Sequence, residues 1–189
     1  MTYRPRAVSQ IDGTKWQWLD CMAAGGAMAL DRDTLGVHRT TAINVRNLSG
    51  DTSGGMDFAG VQYALHRIDG QYHLQVYGKL AVSTAIAKLK AGRGFMSVVN
   101  YGVIVDSGLA YQSLTFRGRH QIFINELNVA TARWAAGTHA LGYDPLLDAR
   151  RPGIPQAPIW YPLDVLYKAW ASLSDVGTGY VQAAFTVHH

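Results

Sequence analysis

The chain has 189 residues, of which 48% are hydrophobic and 16% charged, with a formal net charge of +4. That length fits one domain with a real core, and the balance excludes a disordered chain. A lone cysteine excludes any disulfide within the chain, the basic residues are scattered in a way that disfavours a nucleic-acid binder, and no apolar run approaches the ~18 residues needed to cross a bilayer.

Met1 to Arg6 lacks the apolar stretch of a signal peptide. Residues 1–15 read as an extended arm that turns at Asp12-Gly13. From Cys21 to about Asp31 a buried helix is expected, with Gly25 and Gly26 allowing close approach to neighbouring backbone. A short helix follows from Thr40 to Leu48, then a glycine-rich loop, Ser49 to Gly55. That loop is not followed by Lys-Ser or Lys-Thr, so it is no phosphate loop. Asp57 caps a helix running to about Ile68, in which Phe58, Val61 and Leu65 share a face. Tyr72 to Tyr77 alternates like a strand. Ser83 is expected to cap a helix through Lys90, closed by Gly92.

Phe95 to Val99 reads as a buried strand, and residues 101–118 as a long irregular connection. The clearest strand is Arg119 to Leu127, with His120, Ile122, Ile124 and Glu126 on one face and Gln121, Phe123 and Asn125 on the other. A second antiparallel element spans residues 129–143, and a proline-rich loop spans residues 151–158. Pro162 opens a helix to about Leu173, and Tyr180 to Val187 returns as a strand. The class is α+β: N-terminal helices packed on a mostly antiparallel sheet, residues 1–189 forming a single domain.

Cys21 stands at a helix N-terminus, whose partial positive charge favours thiolate over thiol. Such a cysteine is either an inert core residue or a nucleophile, and the second role needs a histidine and a group to orient it. Among the seven histidines, His38 and His66 sit among charged residues, and His73 and His139 lie in strand-like stretches. His120 is held at the entrance of the most strongly patterned strand. Asp144 closes the next strand, and in an antiparallel pair the start of one lies beside the end of the other. Cys21, His120 and Asp144 are therefore the candidate catalytic residues. The oxyanion formed in acyl transfer needs donors. The Cys21 N–H is one, and a side-chain amide from Gln10, or alternatively Gln17, is the other. No CxxC, HxxxH or second cysteine accompanies these residues, so neither a metal nor another cofactor is expected. The tryptophans at 16, 18, 134, 160 and 170 are candidates for a groove lining, or for core and rim packing.

The pattern Gln10…Cys21-x-x-Ala24-Gly25…Met28-Ala29-Leu30, then Gly118-x-His120-x-Ile122-x-Ile124, then Tyr143-Asp144-Pro145 resembles the papain-like cysteine peptidases, closest to their C39-like branch. The longer wording around Leu48 to Gly55 and Asp144-Pro145-Leu146 is similar to C39-like proteins encoded by phages of actinobacteria. The resemblance implies a papain-like fold and a cysteine-dependent hydrolase. It also implies a place in the phage tail, made in the host cytoplasm, beside other tail proteins. Peptidoglycan peptides are the substrate such a setting suggests, since a mildly basic surface suits an anionic wall. The competing expectation is a tail component that keeps the fold but is catalytically silent. The chain departs from the branch at Met22, where glycine is usual and where a larger side chain narrows the mouth of the site. It also departs in the spacing from Gln10 to Cys21, which is longer than usual. The cassette and membrane segments of C39 exporters are missing, so processing of a double-glycine leader is not implied.

Overall fold

The computed structural model describes residues 3–11, 15, 19–52, 54–109, 116–128, 139–144 and 158–188. In chain order the elements are α1 (Cys21–Asp33), α2 (Ala42–Ser49), α3 (Phe58–Ile68), β1 (Tyr72–Ala81), α4 (Val82–Lys90), β2 (Phe95–Asn100), α5 (Tyr101–Asp106), β3 (Arg119–Leu127), β4 (His139–Tyr143), β5 (Ile159–Pro162), α6 (Leu163–Ala171) and β6 (Tyr180–His188). The strands form one sheet in the order β1-β6-β2-β3-β4-β5, and every neighbouring pair is antiparallel. The class is the expected α+β one.

The sheet is covered on both faces, and the period-2 pattern of its strands sorts the core into two layers. Phe95, Ile122, Ile124 and Phe185 pack with α4, α5 and α6. Met96, Phe123, Tyr143 and Ala184 pack with α1, α2 and α3. Helix α1 is buried along most of its length, and its two glycines make that fit. A Cβ on Gly26 would stand 2.5 Å from a methyl of Val61 on α3, and one on Gly25 would stand 2.0 Å from the Gln121 amide oxygen on β3. The neighbours are thus side chains rather than the backbone anticipated from sequence.

The N-terminal arm is tied to the far end of α1. The Arg6 N–H donates to Asp31 at 2.6 Å, and the Asn125 amide donates to the Tyr3 carbonyl at 3.2 Å. Asp57 caps α3 by accepting from the Gly60 N–H at 2.8 Å, as expected.

Three expectations are corrected. Ser83 lies inside α4, which begins at Val82 directly from β1, so Ala81 rather than serine occupies the cap position. The connection after β2 is not irregular throughout, because Asn100 caps α5 by accepting from the Gly102 N–H at 3.0 Å. Pro162 ends β5, a short strand hidden in the sequence, and α6 follows from Leu163. The proline-rich stretch from 151 to 157 and residues 129–138 lie outside the described residues.

Candidate active site

Cys21 is the first residue of α1 and is partly buried. The residue before it, Asp20, does not cap the helix with its side chain. Its carboxylate instead forms a buried ion pair with Arg46 of α2, whose guanidinium also donates to the Asp51 carbonyl at 3.2 Å. The start of α1 is therefore anchored to α2 and to the loop that leads to α3.

His120 is the second residue of β3, paired with Val99 of β2. Asp144 follows directly on β4, whose last residue Tyr143 pairs with Phe123. The beginning of one strand and the end of the other meet as the sequence pattern requires: His120 Nε2 lies 2.9 Å from Asp144 Oδ1. The second carboxylate oxygen accepts from the Tyr101 hydroxyl at 2.7 Å. The imidazole is held between two aromatic edges, Tyr101 at 4.8 Å and Phe116 at 6.2 Å between ring centroids. His120 and Asp144 are both buried. With Nε2 engaged by the carboxylate, Nδ1 is the ring nitrogen left for the sulfur of Cys21, which lines the same cavity as His120.

The electrostatics follow from these contacts. Burial alone pushes the Cys21 thiol up, but the His120 hydrogen bond and charge, with the N–H groups of Gln121 and Met22, hold it below its ordinary value. Burial pushes His120 down, but the Asp144 charge and hydrogen bond, together with Cys21, raise it to about 10. Both shifts favour the thiolate–imidazolium form of the pair. Burial and the Asp144 charge push the Tyr101 phenol far above its ordinary range, so it stays a donor to the carboxylate.

Beside Cys21 opens a cavity of about 410 Å³. Met22 of α1, Phe58 of α3 and Met56 from the loop before α3 line it with Val98, Gln121 and Gln182 of the sheet. Met22 thus stands in the site itself, as its size suggested.

The structure brings Cys21, His120 and Asp144 together. Gln10 is buried at the end of the arm but does not line this cavity, and Gln17 lies outside the described residues, as do Trp16, Trp18 and Trp134. Trp170 is a core residue and Trp160 is exposed, so neither lines the site. Among the other histidines, His38 and His73 are partly buried and His66 is exposed. Of His139 only the strand position is described. Sequence reasoning missed Tyr101, Phe116, Gln121 and Arg46. Only Tyr101 carried a signal, an aromatic residue directly after the capping Asn100 at the exit of a strand.

Among solved structures, the chain is similar to the peptidase domain of Streptococcus ComA, a bi-functional ABC transporter involved in a quorum-sensing pathway, with a TM-score of 0.56. The match covers 99% of each chain at 15% sequence identity. The fold is that of a C39 peptidase domain. No protein-family model matches the chain, and no curated protein matches it. Likeness at this identity concerns the fold, and the chemistry rests on the residues themselves.

Proposed function

We propose that the chain is a cysteine-dependent amide hydrolase working through Cys21, His120 and Asp144. The observation that carries this reading is the buried His120–Asp144 hydrogen bond at the wall of the cavity that Cys21 also lines. The Cys21 thiolate attacks the amide carbonyl carbon, and the oxyanion that forms is stabilised by N–H groups at the start of α1, with Gln10 or Gln17 as the proposed side-chain donor. The C–N bond breaks as His120 gives its proton to the leaving amine, which leaves a thioester on Cys21. Water then gives a proton back to His120 and attacks the thioester. The products are a carboxylic acid and the restored thiolate. Asp144 keeps the ring oriented and favours the imidazolium, and Tyr101 keeps Asp144 in place.

The proposed substrate is a peptide of bacterial peptidoglycan, and the proposed setting is a phage tail beside other tail proteins. The wording of the sequence and the mildly basic surface support this choice. The test is digestion of purified peptidoglycan, read as new primary amines. Replacing Cys21 by alanine is expected to lower their release by roughly 10⁴-fold or more. Equal release by the variant would overturn the reading. Absence of release by the parent chain would favour a tail component without turnover.

A further inference from the structure

Among the described residues of the cavity wall, Gln121 is the one polar group whose chemistry is not accounted for. It is 1% exposed, and neither its amide oxygen nor its amide nitrogen has a hydrogen-bond partner among the described residues. Burying an amide with both atoms unpaired is costly, and such groups call for an explanation. The neighbouring polar groups are satisfied. Gln182 accepts from Arg119 at 2.9 Å, and both Arg119 nitrogens donate to Asp175 at 2.9 Å. The carboxamide of Gln121 lies over Gly25, whose missing Cβ would stand 2.4 Å from the amide nitrogen. Gly25 is one turn along α1 from Cys21. Val98, the register partner of Gln121, stands beside it on the same wall.

We propose that Gln121 is a substrate-binding residue whose carboxamide pairs with an amide group of the substrate entering this cavity. The assignment rests on the hydrolase reading above. A rigidly placed acceptor and donor, side by side, are both satisfied only by a group that donates and accepts in one plane. An amide does this. A carboxylate would face the Gln121 oxygen, and an ammonium would face its nitrogen. The position one turn inside the helix, rather than at its N-terminus, sets Gln121 apart from an oxyanion donor. Met22, Met56 and Phe58, which line the same cavity, suit an apolar stem carrying the amide. That amide belongs either to the substrate main chain or to a glutamine-type side chain, and the test separates the two.

The test compares the rates at which Cys21 reacts with methyl methanethiosulfonate and with short peptidyl chloromethyl ketones. The ketones carry glutamine, glutamate or methionine next to the reactive group, and a fourth has its main-chain amide N-methylated. Gln121→Met is expected to keep the methanethiosulfonate rate and lower the peptidyl rates at least about tenfold, the loss of a hydrogen-bonded pair. Its melting temperature is expected to be no lower than the parent's, since two unpaired atoms are removed. Gly25→Ala, which displaces the carboxamide from the other side, is expected to give the same selective loss. Preference for the glutamine ketone assigns the pairing to a side chain. Equal rates for the three, with a drop on N-methylation, assign it to the main chain. Peptidyl rates unchanged in Gln121→Met, a lowered melting temperature, or a parent chain that reacts only with methanethiosulfonate would overturn the proposal. A parent slow even with methanethiosulfonate would overturn the hydrolase reading, and the substrate assignment with it.

Discussion

Replacing His120 by alanine is expected to lower amide hydrolysis by roughly 10⁴-fold or more, about as much as removing the nucleophile itself. Two losses coincide. The hydrogen bond and charge that hold the Cys21 thiol low both come from His120. Without them burial prevails, and the sulfur keeps its proton. The leaving amine also loses its proton donor. Effects of groups that act as a unit are not additive, so the double replacement with Cys21→Ala is expected to be scarcely worse than either alone. The measurement is the turnover of a peptide substrate by folded protein, with folding checked by denaturant unfolding. A loss smaller than tenfold would place the proton transfer elsewhere.

Replacing Arg46 by leucine is expected to destabilise the chain by roughly 3–5 kcal/mol. That is a large part of the 5–15 kcal/mol, or about that, which holds a domain folded. The Asp20–Arg46 pair is 0% and 2% exposed at its two side chains. Removing the cation leaves a carboxylate in the interior beside the first turn of α1, where desolvation outweighs any gain from the added apolar surface. Pairing Arg46→Leu with Asp20→Asn is expected to restore most of the loss, because the stranded charge goes too. The check is the urea midpoint of the two single variants and the double one. Hydrolysis is expected to fall in Arg46→Leu even where the protein is folded, since Asp20 fixes the residue that precedes the nucleophile. A stability change below about 1 kcal/mol would mean that the pair is open to water.

The cysteine helix, the His120 strand and the Asp144 junction were legible because each is a local pattern. Strand β3 alternates two apolar sets because each face meets a different helical layer, Ile122 and Ile124 on one side and Phe123 on the other. From that alternation the antiparallel partner and the position of Asp144 followed by geometry. Helix α5 was hidden although its cap was present, since Asn100 continues the strand pattern until its side chain turns to the Gly102 N–H. Strand β5 was hidden by its four residues and its closing proline. The contacts that complete the site are of another kind. Tyr101 and Asp144 are 43 residues apart, and Asp20 and Arg46 are 26 apart. No local periodicity pairs them. Gln121 looked like an ordinary residue on one face of a strand, and only its burial over Gly25 singles it out.

The most direct test of the thiolate–imidazolium pair is the rate of Cys21 alkylation by iodoacetamide as a function of pH. A thiol held below its ordinary value gives up its proton at a lower pH than a free cysteine, and its raised partner keeps a proton until about pH 10. The rate is therefore predicted to rise at a lower pH than that of a free cysteine and to change again only as His120 loses its proton near pH 10. A single rise centred near pH 8.5, or about the value of a free cysteine, with little reaction below it, would contradict the account.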